Sequence, residues 1–266
     1  MKLSPFFLFS LGLHGTIAIT LLLRLDWWPV LLALFVLNHL VLAFGSVWPR
    51  SRLLGANIWE LPVESAARGE VAITIDDGPD PEVTPQVLAI LAAHGAHASF
   101  FCIGERASAH PELVQAIAAA GHRIENHGMH HRTRQAFASY QGWQGEIAGA
   151  QDVLTQLAGT PPRFYRPIAG VRNPFLAPAL QAQGLQLVTW SRRGFDTCSK
   201  NPARVLQRLT KQLKAGDILL LHDGNAARDV AGLPVILTVL PALLAELEQR
   251  GLRGVALPEG ICDEFL

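Results

Sequence analysis

From residue 70 onward the chain alternates between short apolar runs and longer amphipathic ones, and this alternation restricts the fold more than any other feature. The segments VAITID (71–76), HASFFCIG (97–104), HRIENHG (122–128), RFYRPI (163–168), LQLVTW (185–190), DILLLHD (217–223) and LRGVAL (252–257) read as strands. Between them TPQVLAILAAHG, PELVQAIAAAG, the stretch 140–159, FLAPALQAQG, PARVLQRLTKQLKAG and PVILTVLPALLAELEQRG read as helices. Each helical stretch closes on a glycine, at 95, 121, 159, 184, 216 and 251, as expected where a left-handed cap stops a helix. Strands that alternate with helices pair in parallel through helical crossovers. Seven of them fit either a barrel or an open, doubly wound α/β sheet.

The first 50 residues follow a different rule. Residues 5–23 and 29–47 are two apolar stretches of 19 residues each, separated by RLDWW. At about 1.5 Å per helical residue each matches a hydrocarbon core of about 30 Å, and Arg24, Trp27 and Trp28 suit an interfacial turn. The expectation is a membrane hairpin over 1–50, a linker over 51–69 and an α/β domain over 70–266. A signal peptide fits less well, because no small-residue cleavage site follows Leu23 and a second apolar run does. A buried helical pair, with His14, Asn38 and His39 as satisfied core polar groups, is the other alternative. Lys2, Arg50 and Arg52 flank the hairpin, whereas Arg24 is offset by Asp26 in its turn, so the positive-inside bias puts both termini and the domain in the cytoplasm.

Charge and cysteine content exclude more than they assign. The net charge is zero and no basic block stands out, so nucleic acid is not an expected partner. The three cysteines, Cys102, Cys198 and Cys262, show neither CxxC nor zinc-finger spacing, and an odd, sparse set favours a reducing compartment.

Polar residues at the expected strand ends identify the chemistry. Asp76 and Asp77 end the first strand, His127 the third, Arg166 the fourth and His222 the sixth, while Asp196 follows the fifth. Sites of parallel α/β folds form at these carboxyl ends, so residues scattered along the sequence converge. In ENHGMHH the spacing of four between His127 and His131 would set two imidazoles on one side of a helical turn. Zinc takes His nitrogens and carboxylate oxygens and leaves a position for water at catalytic sites. IDDGPD can be read as a turn with a helix cap, but two adjacent carboxylates repel unless a cation intervenes. One of them can hold that cation while its neighbour stays a base.

In this order TIDDGPD, NHGMHH, YRPIAG, TWSRRGFDT and ILLLHD resemble the five motifs of the polysaccharide deacetylases, the NodB-like carbohydrate esterases, over roughly residues 70–258. The resemblance implies a distorted (β/α) barrel and metal-dependent hydrolysis of an N-acyl amino sugar in a cell-envelope polysaccharide or lipid-linked saccharide. By motif position, Asp76 would be the general base and Asp77, His127 and His131 the ligands of a divalent metal. Zn2+ is the first candidate, with Co2+, Ni2+ or Mn2+ as alternatives. Arg166 would hold Asp76, Asp196 would orient His222, and His222 would be the general acid. Leu220 would line the acyl pocket, and a backbone N–H near Ala169 and Gly170 would face the oxyanion. Trp190, which reads as core, is the remaining candidate wall of the saccharide site.

Three departures from the family pattern stand out. Gly128 replaces a Ser or Thr whose hydroxyl would brace the histidine loop, RPIAG replaces RPPYG, and RGFDTCSK lacks a tryptophan after its aspartate. The expected setting is a bacterial inner membrane crossed twice, with a lipid-linked sugar and membrane lipid as partners. The alternatives are a noncatalytic saccharide- or lipid-binding protein on this fold, or a deformylase of a lipid-linked amino sugar.

Overall fold

The structure is a computed structural model that describes residues 2–259. Helices α1 (Pro5–Leu23) and α2 (Trp28–Val47) form the N-terminal hairpin, followed by the short α3 (Val63–Ala67). There follow β1 (Glu70–Asp76), α4 (Thr84–Ala93), β2 (Ala98–Cys102), α5 (Gly104–Ala109), α6 (Pro111–Ala119), β3 (Arg123–Asn126) and α7 (Tyr140–Ala158). The remainder is β4 (Phe164–Tyr165), α8 (Leu176–Ala182), β5 (Gln186–Leu187), β6 (Arg192–Arg193), α9 (Pro202–Thr210), β7 (Ile218–His222), α10 (Val235–Gln249) and β8 (Arg253–Val255).

All the strands pair in parallel in the order β5-β4-β3-β2-β1-β7-β6, with β8 beside the start of β1. One run of chain joins the two edges: Gln186–Leu187 pairs with β4, and six residues later Arg192–Arg193 pairs with β7. The sheet is thereby curled into the distorted barrel that the motif resemblance implies, one of the two forms that the alternation allows. Part of the stretch 51–69, expected as a linker, lies against this junction. Ile58 bridges Val188, Glu60 bridges Asp217, and Asn57, Ile58 and Leu61 are buried.

Side-chain alternation decides what points into the barrel. On β1, Val71, Ile73 and Ile75 pack outward in the core shared with Leu91, Ile117, Leu154, Val239 and Leu243 of the helices. Ala72 lies in the inner cluster with Phe101, Phe164, Val188 and Ile218, so Thr74 and Asp76 share its inward face. On β7 the same period turns Leu219 and Leu221 to the helices and leaves Ile218, Leu220 and His222 inward. Asp76 and His222 are register partners, and both therefore enter the barrel mouth at one level.

Two local expectations are corrected. The helix expected to run to Gly216 stops at Thr210: Lys211 is extended, Gln212 has φ 58°, and the Arg192 guanidinium donates to the carbonyls of both. The short strand Arg192–Arg193 and helix Gly104–Ala109 were not expected, since each is too short to show a period. The six helix-closing glycines all have positive φ, between 57° and 88°.

Helices α1 and α2 are long and apolar enough to cross a membrane. Their polar residues are satisfied within the pair: Asn38 Nδ2 donates to Ser10 Oγ at 2.7 Å, and the rings of His14, Phe35 and His39 pack together. Leu22, Leu37 and Leu40, among others, remain exposed. Cys102 is buried and Cys198 exposed, while Cys262 lies outside the described residues.

Candidate active site

The carboxyl ends of β1, β3, β4 and β7 meet at one cleft of about 390 Å³. Asp76, Asp77, His127, His131, Ala169, Trp190, Leu220 and His222 line it, together with Ile168, Arg193, Thr197 and Asn225. Arg166, Asp196 and Gly170 do not reach it. They lie behind the lining residues and are buried.

The two adjacent aspartates have different partners. Asp76 is bound by Arg166, whose Nη1 donates to Asp76 Oδ1 at 2.6 Å and to Thr74 Oγ1 at 2.8 Å. The rest of the guanidinium donates to the carbonyls of Val188 and Thr189 and lies over the Phe101 ring, 4.1 Å from its centroid. Arg166 is fully buried, and burial lowers its pKa against the pull of Asp76, but arginine stays charged even so. It fills the barrel beneath the site and holds one carboxylate fixed at the mouth.

Asp77 sits one residue beyond the strand at φ 74°, which swings its side chain toward the histidine loop. Its Oδ1 is 3.1 Å from His127 Nε2 and 2.9 Å from His131 Nε2, and its Oδ2 accepts from Asn225 Nδ2 at 2.9 Å. One ligand atom from each of Asp77, His127 and His131 falls within 4.8 Å of the others. The convergence does not use the helical turn that the spacing of four predicts. Residues 127–131 form an irregular loop with Gly128 at φ 84° and His131 at φ 53°, and these two left-handed residues fold the second imidazole back over the first.

The donor chemistry fits a cation. His127 Nδ1 lies 2.7 Å from the Arg166 carbonyl, which can only accept, so this nitrogen carries the proton and Nε2 faces Asp77. Fixing the tautomer in this way is how a metal-binding imidazole is oriented. Burial opposes a charge on His127, yet Asp76 and Asp77 outweigh burial and raise its pKa. Burial likewise works against a charge on Asp77, but His127 and His131 hold it well below the usual carboxylate range. Positive charge is favoured at this point.

Glu146 of α7 braces the loop from below. Its Oε1 accepts from the His130 and His131 amides at 2.7 and 3.3 Å, and Oε2 is 3.0 Å from His130 Nδ1. His130 therefore faces away from the cleft. Asn126 Oδ1 accepts from the Gly128 amide at 2.9 Å. Glu146 and Asn126 thus support a loop that lacks the hydroxyl at position 128. A Cβ there would lie 3.1 Å from Glu146 Oε1 at a φ that L residues avoid, so the glycine belongs to this bracing.

Across the mouth, Asp196 accepts twice from His222, from Nδ1 at 2.9 Å and from the backbone N–H at 2.7 Å. Burial alone would lower the His222 pKa. Asp196, helped by Asp76 and Asp77, outweighs it and raises His222 to about 9. The neighbouring Asp223 turns away to Thr84, whose Oγ1 donates to it at 2.6 Å, and burial raises its pKa to about 7.

The arginine loop forms one wall. Ala169 has φ 53°, and the Gly170 amide is engaged by the Pro167 carbonyl. A Cβ on Gly170 would come within 2.7 Å of the Trp190 ring, so the glycine allows Trp190 to pack beneath the loop. Trp190 is 6% exposed and is both core and cleft wall. A second hollow of about 600 Å³ adjoins the cleft through His131 and Asn225, and Asp80, Arg106 and His110 contribute to it.

Sequence reasoning missed Asn225, Glu146, Arg193 and Thr197. An Asn after a strand looks like a turn residue, and a Glu inside a long helix looks like a solvent face, so neither carries a signal until the loops are folded.

Comparison with known proteins places this arrangement. The polysaccharide deacetylase family model matches residues 64–188. A peptidoglycan-N-acetylglucosamine deacetylase of Bacillus cereus is 34% identical over 203 residues, covering 76% of this chain and 91% of the relative. A chitooligosaccharide deacetylase of Rhizobium leguminosarum bv. trifolii is 30% identical over 216 residues, covering 77% and 98%. The crystal structure of a peptidoglycan N-acetylglucosamine deacetylase superposes with a TM-score of 0.68 at 30% identity, over 76% of this chain and 91% of that one. The similarity to these relatives extends over about three-quarters of the chain, and this chain belongs to the polysaccharide deacetylase family.

Proposed function

We propose that this protein is a membrane-anchored, metal-dependent N-deacetylase of an amino sugar in a cell-envelope saccharide. The observation that carries the reading is the division of labour between two adjacent carboxylates, Asp76 on a buried guanidinium and Asp77 on two imidazoles. An equal pair of solvated turn residues would have no reason for this difference. Two nitrogens and one oxygen suit Zn2+ first, and Co2+, Ni2+ and Mn2+ accept the same donors.

Asp77, His127 and His131 would hold a divalent cation, which would supply Lewis acidity toward the amide carbonyl and lower the pKa of the attacking water. Asp76 takes the proton of that water, and Arg166 keeps its carboxylate aimed at the cleft. General acid–base assistance of this kind contributes roughly 10²–10⁴-fold. The Ala169 amide stabilises the developing oxyanion, a contribution of about 3 kcal/mol for a well-placed donor. His222, held protonated by Asp196, gives its proton to the departing nitrogen. Water and the amide become a carboxylate and an amine. Leu220, 1% exposed on the cleft floor, and Trp190 offer apolar contacts for an acetyl methyl group, and the adjoining hollow has room for a neighbouring sugar.

The hairpin favours a substrate that is itself held in the membrane, a polyprenyl-linked amino sugar or glycolipid. With Arg24 paired to Asp26 at 2.9 Å in the turn, the flanks of the hairpin carry the larger number of basic residues, Lys2, Arg50 and Arg52, which favours cytoplasmic termini. The test is incubation of the full-length protein with Zn2+ and, in turn, a chitooligosaccharide, a peptidoglycan fragment and a polyprenyl-linked N-acetyl amino sugar, followed by mass spectrometry. Release of acetate, fastest from the lipid-linked sugar, is the expected result. Release of formate from a formylated analogue alone would make the protein a deformylase. Binding without release of either acid would make it a noncatalytic saccharide-binding protein.

A further inference from the structure

The base of the hairpin is fastened to the barrel at the end that carries the cleft. Arg172, just past β4, donates its amide to the Ser46 carbonyl at 3.1 Å, and its Nη2 to the carbonyls of Trp48 and Ser51 at 2.8 Å each. Thr189 Oγ1, just past β5, donates to the Pro49 carbonyl at 2.7 Å, and Arg50 Nη2 to the Ser191 carbonyl at 2.7 Å. The Phe7 ring meets Phe175 edge-on. A bilayer that holds α1 and α2 therefore lies beside the mouth of the barrel and not beside its far end.

The loop that leaves the histidine pair lies against the same attachment. Asn173, next to Arg172, donates to the Ala138 carbonyl at 2.8 Å. Ahead of that contact the loop carries Arg132, Arg134 and Phe137, all exposed, with Phe137 at 90%. Among the described residues neither arginine side chain makes an ion pair or hydrogen bond. Two uncommitted guanidinium groups and a fully presented aromatic ring, continuous with a hairpin base, match an anionic lipid surface.

Resting on the reading of α1 and α2 as membrane spans, we infer that the Arg132–Phe137 loop is a third membrane contact. It docks on anionic headgroups, so that the cleft beside His131 opens onto the headgroup layer. The amide that is cleaved then belongs to a sugar close to its lipid, not to a distant unit of a polymer.

Full-length protein carrying Phe137→Cys with Cys198→Ser and Cys262→Ser is spin-labelled and placed in nanodiscs of phosphatidylcholine with or without phosphatidylglycerol. Collision with oxygen and with a water-soluble nickel chelate reports immersion. Reference labels at Leu37, on the lipid face of α2, and at Gln249, at the opposite end of the barrel, fix the scale. The label at 137 is expected to be immersed in anionic discs and that at 249 to be in water. Each arginine is worth roughly five-fold in partitioning to an anionic surface, so Arg132→Gln with Arg134→Gln lowers the immersed-to-solvent ratio on the order of twenty-fold. A label at 137 in water while that at 37 is immersed overturns the loop contact and leaves the hairpin standing. A label at 37 in water overturns both. Equal immersion in neutral and anionic discs, or immobilisation at 137 only when chitooligosaccharide is added, also overturns the assignment.

Discussion

Replacing Asp196 by Asn should move the alkaline limb of the pH–rate profile and leave the acid side nearly unchanged. Asp196 accepts both the Nδ1 proton and the backbone N–H of His222 from a fully buried position. Burial is the largest single influence on His222 and acts downward, so the rise to about 9 exists only because carboxylates, Asp196 foremost, outweigh it. Without the Asp196 charge only Asp76 and Asp77 still oppose burial, so His222 falls back toward its ordinary 6.5. Relative to about 9, that is a loss of roughly 3 kcal/mol in favour of the imidazolium. With a pKa near 9 about nine-tenths of the enzyme holds the acid form at pH 8, and with a pKa near 6.5 only about one part in thirty does. The variant should therefore lose roughly thirty-fold in kcat at pH 8 and little at pH 6, apart from a constant factor for ring orientation. A cation at Asp77 would lower the His222 pKa in wild type and variant alike, which moves the pH at which the difference opens downward and leaves its direction unchanged. Stability should follow with matching sign. A histidine raised on folding contributes fully below its unfolded pKa near 6.5 and loses the contribution as pH rises through 9, so the gap between wild type and variant is widest below pH 6.5 and closes above 9. The assay is amine release across pH 5–10 on metal-saturated protein, with denaturant melts alongside. An alkaline limb at the same pH in both proteins would refute the role given to Asp196 and, with it, that of His222 as the acid.

Three further outcomes are expected. Glu146→Ala should weaken metal binding roughly 10–100-fold by releasing the loop that carries His131, whereas His130→Ala should leave it within a few-fold; competition with a chromogenic chelator measures both. Arg166→Met strands a buried carboxylate and should destabilise the barrel by about 3–5 kcal/mol in denaturant titrations, along with loss of turnover. A phosphatase fusion after Leu266 should be inactive and a fluorescent-protein fusion bright if both termini lie in the cytoplasm, as proposed; strong phosphatase activity would turn the domain outward and favour an exported glycan.

Much of this was legible before folding because the relevant signals are local. Strand ends, a period of two and helix-closing glycines place Asp76, Asp77, Arg166 and His222 on one mouth without tertiary information. The inward direction of Asp76 and His222 follows from alternation with Ile75 and Leu221, which face the helices. The parts that stayed hidden depend on contacts distant in sequence. Asn225 reaches Asp77 across 148 positions, and Arg192 binds the carbonyls just past α9 from a strand too short to show a pattern. The histidine loop failed as a helical turn because a spacing of four has more than one geometric solution. Gly128 and His131 adopt left-handed backbone, and Glu146 rewards that form with amide contacts. The attachment of Ser46–Ser51 to Arg172 and Thr189 could not be read either, since it joins carbonyls of one segment to side chains over 120 positions away.

The division of labour between the two carboxylates is tested most directly by counting metal and turnover in the same samples. Full-length wild type, Asp76→Asn and His127→Ala are purified, loaded with Zn2+ and desalted, then measured by inductively coupled plasma mass spectrometry and by acetate release. One ion per chain is expected in wild type and in Asp76→Asn, with turnover in wild type only, and neither ion nor turnover in His127→Ala. Metal lost equally from Asp76→Asn and His127→Ala, or turnover retained by Asp76→Asn, would contradict the assignment of base and ligand.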